Sequence, residues 1–430
     1  MGNYAEELND VQKEALKQFK KNLGNDLKPE DNDIILLRWL RAKNFNLKKA
    51  ERLYRENLYA RAVHLVDDYV DHYMKPEICQ KYEFAAHLGY AKDGTPVSYI
   101  AMGRGDIRGF VMSLHSFDLS KYCSLVIESD LKKVREQRKK TGREINEILY
   151  IVDMENLSLR ECCHTCVIEM GLDNFRMLQE HYPEIWKYVI IVNAPSYFYA
   201  AFNLFRPIFG NTFMQNFHVV SREATPELLL KYIDEDVLPA FLGGKKVDSN
   251  GDPMCSEFLK FGGPVPEKYY LRNRCPLQET DPGAESFFLL QRGFYNYPLV
   301  VREANSIQTI ELRFEGGSVT TVLLYKPFGN DMENIDIPPR DEYINEHSES
   351  CEFRQVSPKQ KLQAHLAPID NFVLAPWPGI YVWKFDNSCN WLTSRKVICR
   401  FKVLPPGTPL ASKYNMLGFT GLSRDTTSKP

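Results

Sequence analysis

The sequence lacks an excess of charge of either sign: 54 Lys and Arg stand against 56 Asp and Glu, a formal net charge of −2. Such balance gives no global pull towards nucleic acid or acidic membranes. A regular cysteine frame is missing too. Ten cysteines fall at positions 79, 123, 162, 163, 166, 255, 275, 351, 389 and 399, a scatter that favours reduced thiols over a secreted disulfide scaffold. No charged-then-apolar leader opens the chain, and "MGNYAE" places Glu6 where a myristoylation signal needs Ser or Thr. A cytoplasmic protein is expected.

Long uninterrupted hydrophobic runs are scarce. "YVIIVNAPSYFYAAFNLF" (188–205) carries no charge, but Asn193 and Pro195 break it, and the residue before a proline is pushed out of the helical region. It reads as a buried strand over 188–192, a turn, and then an unusually apolar helix. Recognisable catalytic arrangements are also missing: no nucleophile elbow, paired carboxylates or Walker loop has supporting context. No enzymatic activity, metal site or cofactor is therefore expected. The basic run "KKVREQRKKTGR" (132–143) has no interleaved aromatics to stack bases. It reads as a solvated helix face, with weak membrane attraction as the alternative and no nucleic-acid partner.

What is present is a three-part pattern in 430 residues, a length that favours more than one domain. In 11–70, Ile34, Leu37, Leu40 and then Ala50, Leu53, Tyr54, Leu58 recur at helical spacing. Asp31 and Asn32 are candidate caps, and "NFN" separates two helices. Next come the strands "PVSYIAMG", "EILYIVDM" and "KYVIIVNA", separated by helices predicted over 119–141 and 161–180. This alternation predicts an α/β unit with a mostly parallel, helix-covered sheet. After residue 280, "IQTIELRFEGGSVTTVLLYK", "PGIYVWKFDNS" and "RKVICRFKVL" alternate apolar and polar residues, with Val397, Cys399, Phe401 and Val403 on one face. Short strands without helices predict a β-sandwich.

"RECCHTCVIE" (160–169) invites a metal or redox reading. On the predicted helix, however, Cys162 and Cys166 share a face while Cys163 and His164 point elsewhere, and no second cysteine pair with zinc-knuckle spacing exists. "GRGDIRG" (103–109) lacks the dinucleotide spacing and any following Lys-Ser/Thr; it reads as a loop after a strand. "NLS" (156–158) is a sequon without secretory context. The unusual stretch is "SYFYAAFNLFRPIFGNTFMQNF" (196–217), where Phe198, Phe202, Phe205, Phe209, Phe213 and Phe217 recur every three or four residues. With Tyr197 and Tyr199 beside them, the helix is apolar nearly all round and needs a non-aqueous neighbour on both sides. A lipophilic cavity on one side and a membrane on the other would supply them.

The collinear motifs "LLRWLRAKNFN", "GYAKDGTPV", "IVDMENLS", "HYPEIWKYVIIVNAP", "FNLFRPIF" and "LPAFLGG" resemble the CRAL-TRIO, or Sec14-like, lipid-transfer family. "GGPVPEKYYLRN" and "PGIYVWKFDNS" resemble the C-terminal GOLD domain of its animal, tocopherol-associated subgroup. The resemblance covers about 400 residues and implies a helical N-terminal region (1–75) and a lipid-binding domain (76–248). A linker (249–278), a GOLD-type sandwich (279–405) and a flexible tail (406–430) follow. It implies one lipophilic molecule held without covalent chemistry in a pocket over the sheet. Tyr99, Ile148, Tyr150 and Val152 would line the pocket, together with Glu184 and Asn216. Phe198, Phe202, Phe205 and Phe209 would form a gate that contacts membranes transiently, giving peripheral membrane association, while the GOLD domain could take a protein partner. Phosphatidylinositol binders of the family carry lysines where Asn44 and Asn216 stand here, and small hydroxyl residues where Ile148 and Tyr150 stand; their glutamate persists as Glu184. A buried phosphate without charge partners is costly, so the expected ligand is a retinoid such as retinal, a tocopherol, squalene or a carotenoid. Phospholipid exchange and a lipid-regulated adaptor are the alternatives.

Overall fold

The chain is described as a computed structural model over residues 8–162, 164–199, 202, 215–273, 276–329, 335–348 and 350–409. Three N-terminal helices start at asparagines: α1 (Asp10–Leu23), α2 (Asp33–Ala42) and α3 (Leu47–His64). Asn9, Asn32 and Asn46 each accept a backbone N–H of the first turn, satisfying donors that a helix leaves unpaired. Asp31, the other candidate cap, instead accepts from the Lys28 amide and the Tyr54 hydroxyl. Phe19, Leu37, Leu40, Leu53 and Tyr54 close this helical core.

Two short helices, α4 (Tyr69–His72) and α5 (Glu77–Tyr82), lead into the strands β1 (Ala85–Tyr90) and β2 (Pro96–Ile100). Then come α6 (Ile107–Met112), α7 (Ser116–Thr141) and β3 (Ile148–Asp153). The second predicted helix is split into α8 (Leu159–Cys162) and α9 (Thr165–His181), followed by β4 (Trp186–Val192) and β5 (Phe217–Val219). The split has a local cause: His164 Nδ1 accepts the Cys166 amide at 3.3 Å and so caps α9. The sheet order is β1-β2-β3-β4-β5, antiparallel only between β1 and β2. Both faces are covered, as a parallel sheet requires. One face (Val97, Tyr99, Leu149, Ile151, Ile190, Val192) packs with Leu229 of α10 (Thr225–Tyr232). The other (Ile148, Tyr150, Val152, Val189, Ile191) packs with Ile127 and Val134 of α7. The stretch 249–273 runs along this body and buries Cys255, Leu259, Val265 and Tyr270.

The C-terminal strands are β6 (Glu285–Leu289), β7 (Phe294–Val301), β8 (Ser306–Glu315), β9 (Val319–Pro327), β10 (Arg354–Gln355), β11 (Gln360–Leu362), β12 (Ile369–Ala375), β13 (Gly379–Asp386) and β14 (Arg395–Leu404). They form two antiparallel sheets, β10-β9-β13-β7 with β11 beside β9, and β12-β8-β14-β6. β8 and β9 lie in different sheets. The connection through Gly316 and Gly317, with φ of 93° and 136°, is therefore an arch between layers, and a Cβ on Gly317 would strike the Arg395 guanidinium at 2.9 Å. Val397 and Cys399 are buried, Phe401 packs against them, and Val403 emerges at the strand end. Trp383, Phe385 and Leu323 fill the interior. The sandwich rests on the helices: Tyr59 of α3 meets Trp377 at 5.7 Å, and Phe117 of α7 meets Trp383 at 6.2 Å between ring centroids. Most of the predicted tail lies outside the described residues.

Candidate functional site

Ile148, Tyr150 and Val152 point to one face because alternate strand residues share a side. Val189 and Ile191 of β4 join them, and Phe198, Phe202 and Phe217 pack against this group. The chain is helical over 196–199 and at Phe202. Phe198 stacks on Phe202 at 5.8 Å and Phe202 on Phe217 at 6.2 Å. Phe205 and Phe209 lie outside the described residues.

Tyr99 does not belong to this wall. Parallel pairing sets Tyr99 opposite Ile151, whereas Ser98 pairs with Tyr150. Its ring meets Phe241 at 5.7 Å on the far face. Its hydroxyl donates to Asp153 Oδ2 at 2.6 Å, and burial, followed by the charge of Asp153, holds it protonated.

Asp153, fully buried at the end of β3, gathers the groups that fix the start of the segment after β4. Oδ1 accepts from Asn193 Nδ2 at 2.7 Å and from the Glu155 amide at 2.9 Å. Arg104 Nε lies 3.4 Å from Oδ2. Tyr197 donates its hydroxyl to the Leu157 carbonyl. A cleft of about 440 Å³ opens beside these residues, bordered by Met154, Asn193, Pro195 and Tyr197. It sits at the carboxyl ends of β3 and β4, where open α/β sheets hold their ligands. A polar residue closing each apolar strand, "IVD" and "IVN", was the available signal, and sequence reasoning passed over it.

The floor is not wholly apolar. Buried Asp130 of α7 accepts from Ser98 Oγ at 2.8 Å and Tyr150 Oη at 3.2 Å, and Lys133 lies 3.5 Å away. Burial raises the Asp130 carboxyl. The Tyr150 hydroxyl is thus taken up by the protein, leaving its ring as the apolar surface.

The polar positions carried over from phospholipid binders lie on three segments, after α2, before β4 and before β5. Glu184, at φ 49° in the turn before β4, accepts from Arg41 Nε of α2 at 2.6 Å. Asn44 occupies a left-handed turn with φ 49°. Asn216 offers its backbone carbonyl to the Val189 amide at 2.9 Å. Cys166 is buried against Met170, and burial pushes its thiol up to about 11. Cys163 lies outside the described residues. In "GRGDIRG", Asp106 accepts the Gly109 and Val265 amides at 2.7 and 2.9 Å. A Cβ on Gly103 would come within 2.4 Å of the Met154 carbonyl carbon, so these residues serve packing.

Residues 80–244 match the family model of the CRAL/TRIO domain. The chain is similar to Protein ctg-1 of Caenorhabditis elegans, with 24% identity over 368 residues, 85% of this chain and 90% of that protein. It is also similar to Protein real-time of Aedes aegypti, with 27% identity over 276 residues, 63% of this chain and 41% of the longer relative. The crystal structure of Sfh5 aligns at a TM-score of 0.47 and 15% identity, covering 61% of this chain and 96% of that one. Among the described residues no helix is long and apolar enough to cross a membrane.

Proposed function

We propose that the protein binds one small hydrophobic molecule between the sheet face and the gate segment and transfers it between membranes without covalent chemistry. The observation that carries this reading is the wall made by Ile148, Tyr150, Val152, Val189 and Ile191 beneath stacked Phe198, Phe202 and Phe217, within a CRAL/TRIO domain. Burying about 400 Å² of an isoprenoid contributes roughly 10 kcal/mol gross; association entropy reduces this to micromolar-to-nanomolar binding. The ligand class is a retinoid, a tocopherol or another isoprenoid. Asn44 and Asn216 stand where phosphate-binding lysines would be, and Glu184 is occupied by Arg41. Release occurs when the gate segment swings towards lipid. The protein works in the cytoplasm and touches membranes only peripherally. The test is to purify it from its native tissue in dim light, record its near-ultraviolet and visible spectrum, and analyse a solvent extract by mass spectrometry. A stoichiometric isoprenoid is expected; a phosphoinositide would replace this reading with phospholipid exchange.

A second reading, a lipid-regulated adaptor acting through a GOLD-type sandwich, draws support from the contact between α9 and β11. Lys361 Nζ lies 2.7 Å from Glu169, Gln363 donates to the same carboxylate, and the Lys361 amide donates to Asp173. Partner capture that changes with ligand loading would favour it.

A further inference from the structure

At one end of the β-sandwich four large apolar side chains stand in solvent. Phe288 is 69% exposed, Leu290 68%, Trp391 69% and Leu392 87%. They are adjacent through their backbones. Phe288 pairs with Lys396 across β6 and β14, the Arg292 amide donates to the Asn390 carbonyl at 3.1 Å, and Gln291 Nε2 donates to the Leu392 carbonyl at 3.2 Å. Two loops, 290–293 and 387–394, thus form a single knob beyond the strand ends.

The knob is built rather than frayed. Asn387 is fully buried at its base. Its Nδ2 donates to the carbonyls of Leu290 at 2.9 Å and Thr393 at 3.1 Å, and its amide donates to Gly293 at 2.8 Å. A framework held this way presents Trp391 and Leu392 outward at little cost in ordering. Exposed apolar side chains on a rigid tip are unfavourable in water and mark an interaction surface.

Charge selects the partner. Residues 286–293 and 387–396 contain Arg292, Arg395 and Lys396, and the acids that border them, Glu285, Glu315 and Asp386, are paired with Arg340, Arg313 and Lys359. Arg395 is buried and Lys396 is shared with Glu279 at 2.7 Å, which leaves Arg292 free to face outward. Its guanidinium lies 3.6 Å from the Trp391 ring centroid. An indole with a stacked guanidinium, next to leucine and phenylalanine, combines the aromatic, aliphatic and cationic groups suited to the headgroup boundary.

We propose that this end of the sandwich docks on anionic membranes, placing Trp391 and Leu392 in the bilayer interface beside Arg292. The contact is separate from the gate and independent of ligand loading. The chain supplies its own probe, because Trp39, Trp186, Trp377 and Trp383 are buried. The full chain is mixed with phosphatidylcholine vesicles, with or without phosphatidylserine, whose acyl chains are brominated, and tryptophan fluorescence is read. Quenching is expected with phosphatidylserine, weakened by salt, and lost in Trp391→Phe while co-sedimentation persists. Leu290→Asp with Leu392→Asp lowers the vesicle affinity read by quenching more than about tenfold, while circular dichroism stays unchanged. Absence of quenching on vesicles that sediment the protein overturns the proposal and leaves membrane contact to the gate. A concentration-dependent dimer abolished by Leu392→Asp, without quenching, also overturns it and assigns the face to a second copy.

Discussion

Asn193 donates Nδ2 to Asp153 Oδ1 over 2.7 Å while its own backbone sits at φ 53°, joining the end of β3 to the turn from which the proposed gate segment departs. Removing the carboxylate leaves the buried Tyr99 hydroxyl and the half-buried Asn193 amide without their partner. Asp153→Ala should cost about 2–4 kcal/mol, and Asn193→Ala about 1–2 kcal/mol. Urea unfolding measures both. Ligand release from Asn193→Ala should also quicken; an unchanged release rate would detach this pair from gate control.

Phe198 and Phe202 are the aromatics of the proposed gate with described contacts. Phe198→Asp together with Phe202→Asp places two carboxylates against an apolar sheet face. Ligand uptake and vesicle-to-vesicle transfer should fall by more than about tenfold. Unaltered transfer by the folded double variant would sink the gate model.

His64 ends α3 and His181 ends α9, both half-buried in a cavity that α7 also lines. Burial, then Lys121 and His181, pushes His64 down to about 3; burial, then Arg61, pushes His181 down to about 4. Both are neutral in the fold, whereas the unfolded chain takes up their protons near pH 6.5. Their stability contribution is therefore complete above that pH and is lost as pH falls, each at about 1.4 kcal/mol per pH unit. Urea midpoints between pH 7 and 5 should decline, and His181→Gln should remove about 1.4 kcal/mol per pH unit from that slope while His64 and His87 keep theirs. A slope unchanged by His181→Gln would contradict a neutral His181.

Asp173 has the opposite sign. Burial raises its carboxyl to about 6 from 3.8, against the lowering effects of the Lys361 amide and Arg176. Between those values the folded chain keeps a proton that the unfolded chain has released, so rising pH removes stability, at most about 3 kcal/mol. The stability of wild type minus that of Asp173→Asn should decrease from pH 4.5 to 6.5. An increase would show that Lys361 and Arg176 outweigh burial.

The parallel strands were legible because each buries both faces and so reads as an apolar run. Which residues share a face was not. Tyr99 and Tyr150 look equivalent in sequence, and only the pairing of Tyr99 with Ile151 sends them to opposite sides. The Gly316–Gly317 turn shows a similar limit: alternation flanking two glycines fits a hairpin or an arch, and the choice depends on distant strands. Phe198 and Phe202 pack against the sheet face that carries Ile148, Tyr150 and Val152. The anchor at Asp153 draws on three separate segments, and no local pattern joins Tyr99, Arg104 and Asn193.

Because the arch sends β8 and β9 to different layers, every sheet partner of β8 arrives later or from far along the chain: β12 and β14. Such non-local pairing is slow. During synthesis the helices and the β1–β5 sheet emerge first, and Tyr59, Val63 and Phe117, which finally pack into the sandwich core, wait uncovered in the meantime. A chain ending before β6 would keep them uncovered permanently. It should therefore require chaperones or aggregate where the full-length protein does not.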